Sequence, residues 1–250
     1  QADVVVLHQG GAEYRGDDRV SVVHFGDGAT SEGDFHEAMN VAGVNDVPVL
    51  FFCNNNQWAI SHPRARQTAS ATIAEKAAAY GFSGVQVDGM DPLATYVVTE
   101  AARENALDPG DGRLRPTLIE AIQYRYGAHT TADDPSAYRD AAEVERWRAR
   151  DPIARFETFL RETGRLDDER DAAIETDVEE TLADAVERME SFEPNPDEMF
   201  EYAFAEPTET LLAQRDFLRA LRERMGPEEV SLDAMGKMVQ VRSDAGSGLV

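Results

Sequence analysis

The sequence predicts an α/β protein: a doubly wound, mostly parallel sheet followed by a helical C-terminal region. Two observations carry that prediction. Short apolar runs rich in β-branched and aromatic residues alternate with helical patterns through the first half of the chain. From about residue 140 onward, long charged segments with helical spacing replace them.

Four segments read as buried strands: "RVSVVHF" (19–25), "VPVLFFC" (47–53), "GVQVDG" (84–89) and "PTLIEAIQYRY" (116–126). Helical patterns lie between them at about 31–45, 70–80 and 91–107. Three long helices are expected next, over 141–164, 166–192 and 206–226, with Gly164 and Gly226 as stops and a Pro-rich link at Pro194 and Pro196. Residues 1–140 thus read as an α/β domain, 141–226 as a helical region and 227–250 as a disordered tail. "ADVVVL" near the amino end could add a strand. Four strands are few for a doubly wound domain and the chain opens without Met, so a portion upstream of residue 1 is expected.

Composition narrows the function. There are 48 acidic residues against 24 basic ones, a net charge of -24, and the only lysines are Lys76 and Lys237. Nucleic-acid binding is disfavoured by that balance. The acidic excess runs along the whole chain rather than gathering in a tail, which suggests adaptation to high salt, where self-repulsion is screened. One cysteine, Cys53, excludes an internal disulfide framework and suits a reducing cytoplasm. No apolar run is long enough to span a bilayer and no signal peptide is evident.

The chemistry concentrates in "HFGDGATSEGDFHEAMN" (24–40), where a strand gives way to a helix. Gly26 and Gly28 leave room for a close backbone approach, and Asp27 between them offers a hard carboxylate. Taken alone, Gly-Asp-Gly is equally the text of a tight turn with a solvated Asp. The second strand ends in "FFCNNNQWAIS", with Asn56 29 residues after Asp27, a spacing that suits one crossover helix and its return strand. Asp27 and Asn56 would then leave parallel strands at the same carboxyl edge, where open α/β sheets bind ligands. A carboxylate, an amide oxygen and a main-chain carbonyl suit Mg²⁺ with a diphosphate as co-ligand. Thr30 and Ser31 are expected to cap the following helix, turning its N-terminus toward the same anion. A P-loop reading fails because "GDGATSEG" has no Lys-Ser/Thr ending.

Gly-Asp-Gly followed by the pair Asn55–Asn56 resembles the thiamine diphosphate motif. The longer text "FGDGATSEGDFHEAMNVAG…VPVLFFCNNNQWAIS" is similar to the alpha subunit of the decarboxylating first component of 2-oxo acid dehydrogenase complexes. "YRYGAHTTADDPSAYRD" (124–140) resembles that subunit's active-site loop. The resemblance covers about residues 19–225 and implies a thiamine diphosphate-binding fold. It implies that Asp27, the side chain of Asn56 and the carbonyl of Trp58 hold magnesium, and that Gly26, Gly28 and Ala29 approach the diphosphate. It implies a catalytic and cofactor-binding His129 facing the thiazolium and assisting acyl transfer, and a catalytic Arg125 that, with Tyr138 and Arg139, orders the loop against Asp133 or Asp134. His24, His36 and His62 lack comparable context, although His62 beside Pro63 could line the cofactor entrance. Glu32 and Glu37 lie near the diphosphate helix but read more simply as solvated residues that complement its dipole.

The implied activity is oxidative decarboxylation of pyruvate or a branched-chain 2-oxo acid with acyl transfer to a lipoyl group. The implied partners are a beta subunit in an α₂β₂ assembly and the lipoyl domain of an acyltransferase. Thr130 stands where mammalian members carry a regulated serine, and "QADVVVLHQGGAEYRG" does not match the Gly/Ala-rich helix the family has before the first strand. An acetoin dehydrogenase alpha subunit, another thiamine enzyme such as a transketolase, and a non-catalytic fragment are the competing readings.

The charge excess makes one prediction. Thermal melting followed by circular dichroism should show a lower midpoint in low salt than in molar salt; a midpoint indifferent to salt would remove the high-salt reading.

Overall fold

The structure, a computed structural model, describes residue 16 and residues 18–110, 112–193 and 195–225. The proposed strand "ADVVVL", Pro194, Gly226 and the tail from 227 lie outside the described residues. The chain divides into two compact units, residues 1–171 and 172–250.

The first unit is built on a four-stranded parallel sheet of β1 (Ser21–Gly26), β2 (Val49–Asn55), β5 (Ser83–Asp88) and β6 (Thr117–Ile122). Their order across the sheet is β1-β2-β6-β5. A two-stranded antiparallel hairpin, β3 (Trp58–Ala59) and β4 (His62–Pro63), follows β2. The fold class expected from the sequence is borne out, and the expected strands shift by only a few residues.

The pattern of the strands follows from where they sit. β2 and β6 are central, covered on both faces, and so read as largely apolar runs instead of alternating, with Glu120 the one acid inside β6. Val49, Phe51, Cys53 and Leu118 pack on one face with α1 (Gly33–Asn45) and a 3-10 helix, Ala74–Tyr80. Leu50, Phe52, Ile119 and Ala121 pack on the other with Ala102 and Ala106 of α2 (Pro92–Leu107). Burying each large side chain of this set contributes about 1.5–3 kcal/mol. Asp91 starts α2, its Oδ1 accepting the main-chain N–H of Leu93 and Ala94 ahead of the first helical turn that Pro92 opens.

Two helical expectations need correction. Over 70–80 only Ala74–Tyr80 is helical, and it is 3-10. The long helix expected over 141–164 is two helices, α3 (Ala141–Arg148) and α4 (Pro152–Glu162). Pro152 cannot supply the N–H that a continuous helix would need, and the Asp151 carboxylate caps a fresh start by accepting from Ile153 N–H. α4 ends before Gly164, which takes φ 68°.

The unit containing the sheet extends past residue 140 because α4 and the turn before it are tied back to the sheet's edge. Arg155 reaches the carboxylates of Asp88 and Asp91 and the Met90 carbonyl, and Arg150 reaches Asp88. α5 (Asp168–Glu190) begins in this unit, with Arg161 pairing to Asp168 and Asp171.

The second unit holds the rest of α5, a one-turn helix α6 (Glu198–Glu201) and α7 (Glu209–Met225), with Arg219 paired to Asp197 at 2.6 Å. None of its described residues is buried. Ile174, Val178, Leu182, Val186 and Met189 make an exposed apolar stripe along α5. Among the described residues no helix is long and apolar enough to cross a membrane.

One close approach is needed to bring the 3-10 helix onto the sheet. A Cβ on Gly84 would lie 1.9 Å from the Ala74 carbonyl oxygen. Gly84→Ala is therefore expected to lower stability by about 1–3 kcal/mol in chemical denaturation, as overpacking against backbone does; an unchanged midpoint would contradict this packing.

Candidate functional site

The site begins with strand register. Gly26 at the end of β1 lies opposite Asn54 of β2, so Asp27 leaves the sheet beside Asn55, the last residue of β2, and Asn56 follows at the same carboxyl edge. Asp27 is only 1% exposed. Its Oδ2 accepts a hydrogen bond from Gln67 Nε2 at 2.9 Å, and its main-chain carbonyl accepts from the Thr30 hydroxyl at 2.7 Å. Burial pushes the Asp27 carboxyl above its ordinary pKa; its own main-chain N–H, Gln67, the Asn56 N–H and the Arg125 charge pull the other way without winning.

Asp27–Ser31 forms a 3-10 turn, and α1 starts only at Gly33. Thr30 and Ser31 therefore do not cap α1 as expected: the Thr30 hydroxyl is engaged by the Asp27 carbonyl, and Glu32 occupies the cap position without a side-chain cap bond. Gly28 is required by contact, because a Cβ there would lie 2.7 Å from the Cβ of Ala59 in β3. Gly26 is exposed with open space above it, and Ala29 is half-buried. Glu32 and Glu37 are exposed.

The two asparagines have different roles. Asn55 is buried: its Nδ2 donates to Glu120 Oε1 at 2.7 Å, and its Oδ1 accepts from Gln57 N–H at 3.2 Å and Gln57 Nε2 at 3.0 Å. Asn56 is half-buried and its Oδ1 accepts from Trp58 N–H at 3.1 Å. Beyond them the chain takes left-handed backbone at Gln57 (φ 74°) and again at Ile60 (φ 56°), the latter unusual for a β-branched residue. Arg125 secures this hairpin, donating from Nη1 to the Trp58 carbonyl at 3.3 Å and from Nη2 to the Ile60 carbonyl at 2.6 Å.

The same guanidinium joins the hairpin to the loop that carries His129, because Arg125 Nη2 also reaches the Tyr138 hydroxyl at 3.1 Å. That hydroxyl donates to Asp133 Oδ2 at 2.6 Å, which also accepts the His129 main-chain N–H at 2.8 Å. The His129 N–H first, and the Tyr138 hydroxyl next, hold the Asp133 carboxyl below the usual range. Asp134 serves elsewhere, accepting from Ser136. Arg139 closes the far end by donating to the carbonyls of Arg125 and Tyr126 and lying over the Tyr124 ring. The His129 residue stands exposed. His24 lies against Phe52, His36 shares a hydrogen bond with the Tyr80 hydroxyl, and exposed His62 sits in β4.

Among the described residues no three of His, Cys, Asp and Glu gather as a metal site. The donor set here is different: one buried carboxylate, the Asn56 amide oxygen and the Trp58 carbonyl, on adjoining turns. Such hard oxygens fit magnesium that keeps its other positions for water and phosphate. Three residues of this site escape a motif reading, namely Gln67, Glu120 and Asn55 in its inward role. The signal for Glu120 was present, a lone acid inside the apolar run "LIEAI" of a central strand.

A family model described as Dehydrogenase E1 component matches residues 2–197. The chain is 50% identical over 208 residues to the 3-methyl-2-oxobutanoate dehydrogenase subunit alpha of Mycobacterium tuberculosis, covering 82% of this chain and 55% of that protein. It is 44% identical over 182 residues to the pyruvate dehydrogenase E1 component subunit alpha of Bacillus subtilis, covering 72% and 48%. It is 41% identical over 204 residues to the mitochondrial 2-oxoisovalerate dehydrogenase subunit alpha 2 of Arabidopsis thaliana, covering 81% and 42%. The chain thus spans about half the length of the curated relatives it matches.

The buried carboxylate of Asp27 predicts a stability that depends on pH. With its folded-state pKa raised, the native state holds the proton to higher pH than the unfolded chain does, so this group's contribution to stability falls as pH rises from its ordinary pKa through the raised one. Asp27→Asn should therefore melt at a higher temperature than the parent chain at neutral pH without magnesium, with the difference shrinking as pH falls below the raised pKa. An equal or lower melting temperature at neutral pH would contradict the burial argument.

Proposed function

Because the chain belongs to the dehydrogenase E1 component family, whose members depend on thiamine diphosphate, we propose that it is the cofactor-binding part of the alpha subunit of a 2-oxo acid dehydrogenase. Its substrate would be pyruvate or a branched-chain 2-oxo acid. The observation that carries the reading is the register of β1 and β2, which brings buried Asp27 beside Asn56 at the sheet edge.

In this reading Asp27, Asn56 Oδ1 and the Trp58 carbonyl hold Mg²⁺, while Gly26, Gly28 and Ala29 let the main chain approach the diphosphate. Gln67 keeps the Asp27 carboxylate oriented. Arg125 acts as a clamp between the metal-binding hairpin and the His129 loop rather than on the substrate. When bound, thiamine diphosphate supplies the nucleophilic carbon and the electron sink for loss of carbon dioxide. The His129 imidazole supplies the proton taken up by the lipoyl sulfur as the acyl group is transferred, and Asp133 and Tyr138 hold its main chain in place for that transfer.

The partners are a beta subunit, in an α₂β₂ assembly that completes the active site, and the lipoyl domain of an acyltransferase. The exposed stripe on α5 supports a subunit contact along that helix. The single, buried cysteine supports a cytoplasmic setting.

Two experiments test this function. Calorimetric titration of thiamine diphosphate with Mg²⁺ into the chain coexpressed with its beta subunit should show binding that Asp27→Ala abolishes; a folded complex that binds nothing would overturn the reading. His129→Ala should leave that binding intact and slow acyl transfer to the lipoyl domain by about 10²-fold or more. A transfer rate equal to the parent's would remove His129 from the reaction.

A further inference from the structure

Glu120 is as deeply buried as Asp27, 1% exposed in the middle of β6, opposite Cys53 of β2 and Gln86 of β5. A carboxylate is costly at such a place unless its oxygens are fully hydrogen-bonded. Here four N–H donors converge on it. Oε1 accepts from Asn55 Nδ2 at 2.7 Å; Oε2 accepts from the main-chain N–H of Ile73 at 2.8 Å and of Ala74 at 3.0 Å, and from Gln86 Nε2 at 3.2 Å.

Two of these connections lead back to the candidate metal site. The first runs through Asn55. With only acceptors to offer, Glu120 selects the amide's Nδ2 and forces Oδ1 to face the other way, toward the hairpin. Oδ1 then takes both the main-chain and the side-chain N–H of Gln57, holding that residue in its left-handed conformation. The next N–H, from Trp58, falls on Asn56 Oδ1. The second connection runs through Ile73 and Ala74, at the end of the segment that carries Gln67 to the Asp27 carboxylate.

We propose that Glu120 is a positioning residue for the metal and diphosphate site, fixing the hairpin that presents Asn56 and the Trp58 carbonyl by way of Asn55 and Gln57. The inference rests on the reading of those oxygens as magnesium ligands. It gives the two asparagines separate roles, with Asn56 facing the ion while Asn55 faces the core and transmits the orientation that Glu120 imposes. Glu120→Gln would undo this without changing size, because a glutamine amide can donate to Asn55 and let it turn over, placing Nδ2 against the Gln57 N–H.

The test uses the chain coexpressed with its beta subunit, with Glu120→Gln, Asn55→Ala and, as a core control that removes none of the hydrogen bonds joining Glu120 to the hairpin, Met39→Ala, which is fully buried in α1. Two quantities are read: the half-saturating Mg²⁺ concentration for thiamine diphosphate binding, followed by tryptophan fluorescence, and hydrogen exchange at the Gln57 and Trp58 amides without cofactor. Glu120→Gln and Asn55→Ala are expected to raise the half-saturating Mg²⁺ about tenfold or more and to speed exchange at both amides. Met39→Ala should move neither, at a comparable loss of melting temperature. If Glu120→Gln does not fold, Asn55→Ala decides alone, since it leaves Glu120 three of its four donors. Folded variants with parental Mg²⁺ dependence and exchange would overturn the role of Glu120 while leaving the site intact. A parent complex that binds no thiamine diphosphate would overturn the site reading and this inference together.

Discussion

The parallel pairing of β1 with β2 is the constraint on which the rest depends. Gly26 opposite Asn54 fixes which residues leave the two strands together, and a slip of one position would send Asp27 and Asn56 to different depths and faces. The register is itself held by burial, because β2 is covered on both faces and each of its apolar residues has one packing partner set. The candidate site is thereby specified by the same apolar contacts that stabilise the sheet. The polar edge then needs only short turns to converge.

Those turns are where local preference is overridden. Left-handed backbone at Gln57 and Ile60, a buried carboxylate at Asp27 and a second one at Glu120 each cost free energy alone. Arg125, Asn55 and Gln67 compensate by converting carbonyls, amides and carboxylates into a connected set of hydrogen bonds. The loop bearing His129 joins the set through Tyr138, so hairpin and loop share the clamp of one guanidinium. Preorganisation of this kind is expected where a multivalent anion and its cation must be bound together.

Much of the fold was legible in the sequence because it rests on periodicity. The four strands and the helices over 33–45 and 92–107 follow from apolar runs and spacing alone. Pro152 is equally visible, yet helical spacing on both sides of it predicts one continuous helix and disguises a break that proline chemistry demands. Of the site, the motif exposes Asp27, Asn56 and the His129 loop. Gln67, the inward role of Asn55 and the four bonds accepted by Glu120 depend on contacts separated by 34 to 65 residues, which no local pattern encodes. Thr30 shows the converse: a good cap by type, it lies inside the 3-10 turn Asp27–Ser31, where its hydroxyl donates to the Asp27 carbonyl, and α1 starts beyond it at Gly33.

The most direct measurement is a crystal structure of the chain with its beta subunit, grown with Mn²⁺ in place of magnesium and thiamine diphosphate, and phased to show the metal's anomalous signal. The account predicts one strong peak bounded by the Asp27 carboxylate, Asn56 Oδ1 and the Trp58 carbonyl, with diphosphate oxygens completing the shell. An ordered cofactor whose metal lies away from these three oxygens would contradict it.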